Sequence, residues 1–518
     1  MNRIVVPLAL LLFLPLFGLA APFLFSGNDS LATGTLSHLW NFVLGGYIVS
    51  TLALILGVGM GVFILGVGNA WIIANYDFPG KKIFEWALIL PLAVPTYVMA
   101  YLFVDLLQFS GPIQSTLRAM LGMDSLWFFP DPRSLSGAIW SFSFCLFPYV
   151  YLITRTAFLE RSGRLIEVSE TLGYSPLQGF FKLVLPMARP AIFAGMALAL
   201  MEVLADFGAV SYFGVQTFAT GIFKAWLSFG DRVAAVQLAL GLLSFVLLIF
   251  FIEQSSRAKL RYASSARGRP LAKSLDGKGA VFAFLFCGIT LLCGFLLPAF
   301  ALLQLLFKQG LMIDIRYLDW LTNSLAVSIL TALISVVLAV FFAYSVRMNP
   351  RLSWVNRLLG FGYALPGAVL AIGILSFLEI FQLAWWMSAS ILVLVYAYLV
   401  RFLSSSLQSV EAGLARITPS MDASAALLGL SRPQILKRVH VPLLKRSLIT
   451  AGLFVFVDVM KELPATLLLR PFNFDTLAVA SYQLAADERL AELALPSLTI
   501  VLVGLFPVLV LSRVISKS

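Results

Sequence analysis

Apolar runs of about 20 residues recur along this chain from one end to the other, and few folds can accommodate that pattern. In hydrocarbon every backbone N–H and C=O must find its partner inside the protein, which leaves helices or closed barrels. Continuous runs without period-two alternation select helices. The runs fall at roughly 1–25, 48–71, 83–107, 134–158, 191–213, 233–252, 280–307, 321–346, 358–382, 384–406, 447–468 and 491–512, twelve in all. With 60% hydrophobic and 12% charged residues, the chain holds more apolar side chain than a soluble domain can bury. The expected fold class is an all-α polytopic membrane protein with about twelve transmembrane helices. The first run follows Arg3 and has small residues at Gly18-Leu-Ala-Ala21, as a secretory leader does, but its length favours a retained span.

A net charge of +11 points to nucleic acid only if the basic residues form a patch. They lie instead in short segments between the runs, where they set orientation in the lipid bilayer, so no nucleic-acid partner is expected. Segment 26–46 has no Lys or Arg. Lys81-Lys82, the stretch with Arg155, Arg161, Arg164, Lys182 and Arg189, and the stretch with Arg401, Arg416, Arg432, Lys437, Arg438, Lys445 and Arg446 all fall on the opposite side. That side is assigned to the cytoplasm, together with both termini. Cys145, Cys287 and Cys293 sit inside apolar runs, and His38 and His440 are far apart, so neither a disulfide framework nor a metal-ligand spacing is present.

Two polar islands interrupt the pattern. Glu167-Val-Ser-Glu-Thr-Leu-Gly173 leads into a segment ending at Leu185-Pro186, and Ala423-Ser-Ala-Ala-Leu-Leu-Gly429 leads into one ending at Val441-Pro442. Gly173 and Gly429 lie 256 residues apart, as do Pro186 and Pro442. Ser175 with Gln178, and Ser431 with Gln434, have the spacing of a capping box, and each glycine precedes its cap by two residues, where a left-handed turn ends a helix. Each island therefore reads as helix, glycine turn, capped helix. The plainer alternative is an ordinary loop. The repeat continues outward: Asp206-Phe-Gly-Ala-Val falls on Glu462-Leu-Pro-Ala-Thr and Thr220 on Thr476, while earlier in each half the offset drifts, with Leu90-Pro91 matched to Leu365-Pro366. Residues 254–279, with seven Lys or Arg against Asp276, form the linker between two parallel six-span halves. A pseudo-twofold axis along the membrane normal, with a path between the halves, is expected.

Intramembrane charges are costly and usually functional. Glu202 and Asp206, four residues apart, are placed on one helical face, and the repeat carries them onto Asp458 and Glu462. These four are candidates for an outer gate favouring a cationic solute. The competing reading pairs Lys461 with one carboxylate and uses the rest as helix caps. Glu85, Asp105, Glu253 and Glu379 lie near span ends, where the charged head reaches water. Trp385-Trp386 reads as part of an interfacial belt, and Pro91, Pro95 and Pro366 as kinks. Segments 214–232 and 470–489 are too polar and broken to span and read as half-caps over the outer mouth. No phosphate-binding loop exists: Gly80-Lys81 and Gly277-Lys278 lack the leading glycine and the following Ser or Thr, so any ATP is hydrolysed by another polypeptide.

The islands resemble the EAA loop of type I ABC importer permeases, a Glu-Ala-Ala, three residues, Gly, nine residues, Ile-x-Leu-Pro pattern. The second copy has Ala423 where the first has Glu167, with Asp422 one residue earlier. The fused arrangement, with Ala205-Asp-Phe-Gly-Ala-Val-Ser-Tyr-Phe-Gly214 and Lys461-Glu-Leu-Pro-Ala-Thr-Leu-Leu-Leu-Arg-Pro471, is most similar to iron(III) permeases. Thiamine importers share the fused form and polyamine or sulfate permeases the loop. The resemblance implies a first span and outer loop at 1–46, one permease domain at 47–253, the linker at 254–279, a seventh span and outer loop at 280–318, and a second permease domain at 319–513. It implies a bacterial inner-membrane transport subunit without enzymatic activity, cofactor or resident metal. It further implies two cytoplasmic ATPase subunits gripping Glu167, Gly173, Leu185, Pro186, Ala423, Gly429, Val441 and Pro442, and an extracytoplasmic solute-binding protein. An ion-coupled secondary transporter would also have internal repeats and buried carboxylates, but would not need two capped loops.

Overall fold

The computed structural model describes residues 2–25, 37, 39–126, 128–258, 273–310, 313–382 and 390–515. Within them the apolar runs are helical. Eight helices are long and apolar enough to cross a membrane: Leu39–Asn75, Leu135–Leu159, Phe180–Ala205, Arg232–Ser256, Lys278–Lys308, Ile315–Met348, Ile391–Leu414 and Leu490–Leu509. Two further runs, expected as single spans, are sharply cornered pairs: Lys81–Ala93 with Thr96–Leu121 at 97°, and Pro350–Ala364 with Gly367–Ile380 at 109°. Of the remaining two, the first is broken into Asn2–Leu11 and Leu14–Phe25, and the eleventh, Val441–Lys461, carries Lys445, Arg446, Asp458 and Lys461. Trp385-Trp386 and most of the linker lie outside the described residues.

The corners have a local cause. A residue before proline is pushed out of the helical region, and Val94 before Pro95 and Leu365 before Pro366 are both extended, with ψ of 120° and 122°. Each follows a single 3₁₀ turn, Leu90–Ala93 in one repeat and Phe361–Ala364 in the other. The structural equivalent of Pro366 is therefore Pro95, correcting the match to Pro91 drawn from the Leu-Pro dipeptide. Pro91 lies inside the 3₁₀ turn, where its missing N–H costs little.

The residues pack into two units, one drawn from 34–230, 241–312 and 481–518, the other from 1–33, 231–240 and 313–480. Each unit takes segments from both sides of the linker. Lipid is as apolar as leucine, so helices associate through close approach and buried hydroxyls rather than through exclusion of water. In the first unit Gly57 and Gly61, a Gly-x-x-x-Gly pair, let Leu44–Asn75 lie against Leu135–Thr171: a Cβ at either would overlap Ile139 or Ser143. In the second, Leu14–Phe25 crosses Gly367–Ile380 where Gly18 meets Gly373, and a Cβ at Gly18 would overlap the Gly373 carbonyl. Four helices of that unit converge on Val327, Ala371, Leu394 and Val455, and Ser335 and Ser406 share a buried hydrogen bond of 2.9 Å.

Candidate functional site

Both polar islands fold as helix, glycine turn, capped helix. In the first, Leu135–Thr171 ends and Gly173 takes φ +73°; in the second, Pro419–Leu427 ends and Gly429 takes φ +79°. Tyr174 N–H donates to the Ser169 carbonyl at 2.9 Å and Leu430 N–H to the Ala425 carbonyl at 3.2 Å, the Schellman bond that satisfies a helix end. Gln178 Oε1 accepts from Ser175 N–H at 3.3 Å and Ser175 Oγ from Gln178 N–H at 3.4 Å; the Ser431 and Gln434 pair closes the same box.

A feature the motif did not announce follows each cap. Phe180–Val184 and Leu436–His440, again 256 residues apart, are π turns, in which Leu185 N–H reaches back to Phe180 and Val441 N–H to Leu436. Pro186 and Pro442 explain them. Proline cannot donate to the carbonyl four residues back and crowds it, and one extra residue in the preceding turn relieves the clash. The helices then run on as Leu185–Ala205 and Val441–Lys461.

The two islands are held to their own units differently. Trp71 packs its ring 4.7 Å from Phe180 and 5.5 Å from Phe158, an aromatic anchor for the first. The second is anchored by charge: Arg347 Nε donates to Asp422 Oδ2 at 2.9 Å, the buried His440 Nε2 lies 2.6 Å from Asp422 Oδ1, and Tyr344 donates to the Arg432 carbonyl at 2.9 Å. Burial raises the Asp422 pKa, but the hydrogen bonds from His440 and Arg347 outweigh it and hold the carboxyl below its ordinary range. Asp422 is thus engaged within its own chain. Glu167 lies on Leu135–Thr171, and its side chain is outside the described residues. Ala423, Val441 and Pro442 are exposed, Leu185 and Pro186 half-buried. Leu172 and Leu428, equivalent positions beside the turn glycines, expose 59% and 82% of their surface.

The four carboxylates do not form two matched helical faces. The helices stop at Ala205 and Lys461, and Asp206 and Glu462 adopt extended backbone with ψ of 129° and 122°. Each caps the short helix that follows. Ala209 N–H donates to Asp206 Oδ1 at 2.7 Å; Ala465 and Thr466 N–H donate to the two Glu462 oxygens at 2.9 Å each. The capping alternative therefore describes both, and the spans end earlier than the apolar runs. Glu202 and Asp458 remain on their helices, with Lys461 Nζ 3.9 Å from Asp458. Asp206 accepts a hydrogen bond from Thr96, whereas Glu462 pairs with Arg401 at 3.1 Å in a buried site. Gly367 makes room for that pair: a Cβ there would stand 2.6 Å from Glu462 Oε1 and 2.9 Å from Arg401.

Two basic residues counted as topology signals lie inside candidate spans and are paired there. Arg401 lies within Ile391–Leu414 and Arg155 within Leu135–Thr171, where it is buried and paired with Glu85. Their charges are compensated by carboxylates distant in sequence, which a count of loop charges does not register. Glu379 pairs with Arg232 at a more exposed position, consistent with an interfacial placement.

Long apolar helices in two units, each carrying a capped turn before a π turn, define a polytopic helical permease. The family of binding-protein-dependent transport system inner membrane components matches residues 63–262. The Fe(3+)-transport system permease protein FbpB 2 of Haemophilus influenzae is 29% identical over 475 residues, 90% of this chain and 89% of that protein. The molybdenum transport system permease protein ModB of Escherichia coli is 30% identical over 174 residues, 34% of this chain and 71% of the relative. The sulfate transport system permease protein CysT of Salmonella typhimurium is 31% identical over 172 residues, 33% of this chain and 58% of the relative. The chain belongs to the binding-protein-dependent transport system inner membrane components: it is the permease subunit of an ABC importer.

Proposed function

We propose that this permease carries ferric iron, delivered by an extracytoplasmic binding protein and driven by two separate ATPase subunits. The observation that carries the cargo assignment is end-to-end similarity to an iron(III) permease over 90% of the chain, where the molybdenum and sulfate relatives match only about a third. The ATPases dock on residues 167–186 and 423–442. The support for that docking is physical: on otherwise polar islands Leu172 and Leu428 stand exposed at the turns, available to an apolar groove. Rigid capped turns joined to long helices would pass motor closure into the membrane as body movement. The basic segments support a cytoplasmic position for both islands and both termini. The repeats correspond to permease domains at 47–253 and 319–513, with spans and outer loops at 1–46 and 280–318 and the linker at 254–279.

The test is uptake into vesicles reconstituted with the permease, its ATPase and its binding protein. ATP-dependent accumulation of ferric iron, unaffected by collapse of the proton gradient, supports the assignment. Accumulation of thiamine, a polyamine, sulfate or molybdate instead, with ferric iron excluded, refutes the cargo while leaving the importer class intact. Uptake that follows the proton gradient without ATP would point to an ion-coupled carrier.

A further inference from the structure

Tyr101 gathers Asp206, Tyr97, Tyr212 and Tyr482 in its neighbourhood, and all five residues belong to the same unit. Tyr97 and Tyr101, one helical turn apart on Thr96–Leu107, have ring centres 6.0 Å apart; the Tyr101 ring meets that of Tyr212 edge-on at 4.6 Å. Thr96, the residue before Tyr97, donates its hydroxyl to Asp206. Asp206, Tyr97, Tyr212 and Tyr482 are all within electrostatic reach of the Tyr101 hydroxyl. Above Tyr212 lies the Arg133 guanidinium, 5.1 Å from the ring centre, in an exposed ion pair with Glu488. Oxygen atoms thus descend from an exposed surface, through half-buried Tyr212, to fully buried Tyr101 and the Asp206 carboxylate.

Two observations set this cluster apart from ordinary packing. The Tyr101 side chain is 0% exposed, and its hydroxyl has no hydrogen-bond partner among the described residues. A buried hydroxyl left unsatisfied costs stability, so phenylalanine would serve better were packing the only requirement. Asp206, unlike its counterpart Glu462, has no basic side chain within ion-pairing distance among the described residues. A buried carboxylate with phenol oxygens and no cation of its own matches a hard trivalent cation and repels an oxyanion.

We propose that Asp206 and Tyr101, with Tyr97, Tyr212 and Tyr482 close by, form a transit site for the ferric ion inside one packed unit of the permease, at a node whose counterpart at Glu462 is closed by Arg401. The inference rests on the ferric-iron assignment above. On entry the ion exchanges water for carboxylate and phenol oxygens, the phenol proton of a coordinating tyrosine leaving to water as the Fe–O bond forms. At the equivalent node Arg401 already occupies the carboxylate, so the metal passes the first repeat's node only.

The experiment uses the full-length permease in lipid nanodiscs and in uptake vesicles, with ferric citrate as the probe. Wild type should develop the visible phenolate-to-iron(III) charge-transfer band, and Tyr101→Phe, which deletes only the unpartnered oxygen, should lose it while keeping or raising its unfolding temperature. Ferric uptake should fall at least roughly tenfold in Tyr101→Phe and in Asp206→Asn, the scale at which disturbed metal sites lose affinity. Arg401→Met with Glu462→Gln, neutralising the other node, should leave the band in place. Wild-type ferric uptake with unchanged uptake and an unchanged band in both first-node variants overturns the transit site and leaves the cargo standing. Absence of ferric uptake by the wild type, with uptake of another solute, removes the cargo assignment and the site with it.

Discussion

The two capped turns share a backbone and differ in how they are held. Both have a left-handed glycine, a Schellman bond, a capping box and a π turn ahead of a proline. The first leans on Trp71 through rings, the second on Arg347 and His440 through their hydrogen bonds to the Asp422 carboxylate. The same contrast recurs at the ends of the following helices, where Asp206 is met by the hydroxyl of Thr96 and Glu462 by the guanidinium of Arg401. In this chain duplication preserved backbone geometry, set by local rules, while each repeat found its own side-chain solution for fixing that geometry. Charge took over in the second repeat where the first uses hydroxyl and ring.

The largest expected effect breaks this contrast at the carboxylates. Arg401→Met leaves Glu462 buried without its cation and should cost about 3–5 kcal/mol. Thr96→Val removes one hydroxyl from Asp206 and should cost about 1–3 kcal/mol. Unfolding of the two variants in one detergent, followed by tryptophan fluorescence, measures the difference; equal losses would mean that the Arg401 pair is no more than another hydrogen bond.

The anchors of the turns come next. Asp422→Asn should loosen the second turn and Trp71→Ala the first, each read as faster proteolysis of its own island with the other protected. The pH dependence separates them further. The folded pKa of Asp422 is depressed, so its contribution is fully present above the ordinary carboxylate value of about 4 and is lost as pH falls through the folded value. Acid should therefore expose the second island before the first, and Asp422→Asn should erase that order. Simultaneous exposure of both islands in the wild-type protein would count against a charge anchor.

What the sequence made legible was local. Capping boxes, glycine turns and prolines act within five residues, so their spacing alone specified Gly173, Gly429, Ser175 and Ser431, and the structure has them as expected. The π turns were equally determined by Pro186 and Pro442, but the eye reads a proline in a loop as a stop rather than as a cause of a wider turn. Partners distant in sequence were not legible. Arg401 and Glu462 are separated by 61 residues and Arg347 and Asp422 by 75, and a basic residue between apolar runs looks like a topology signal until its partner is known. Tyr101 gave no signal, because a tyrosine in an apolar run scores as one more aromatic. Pro95 was legible as a kink, but its equivalence to Pro366 was not: Leu-Pro occurs at 90–91, whereas the geometry is keyed to the extended residue before the next proline.

The smallest structural effect carries the sharpest comparison. A Cβ added at Gly173 or at Gly429 meets nothing within 4 Å, and φ differs by only a few degrees between them, +73° and +79°. Gly173→Val and Gly429→Val should therefore suffer the same local penalty, about 1–2 kcal/mol for a branched residue in the left-handed region. Folding being matched, any difference in transport between the two variants reports on coupling itself. The first island begins with Glu167, whereas Asp422 of the second is occupied by Arg347 and His440. The Gly173 variant should accordingly lose more ATP-driven uptake than the Gly429 variant, at equal expression and equal unfolding temperature. Equal losses would show that the motor grips the shared backbone of both turns, and that the acidic lead of the first adds nothing to coupling.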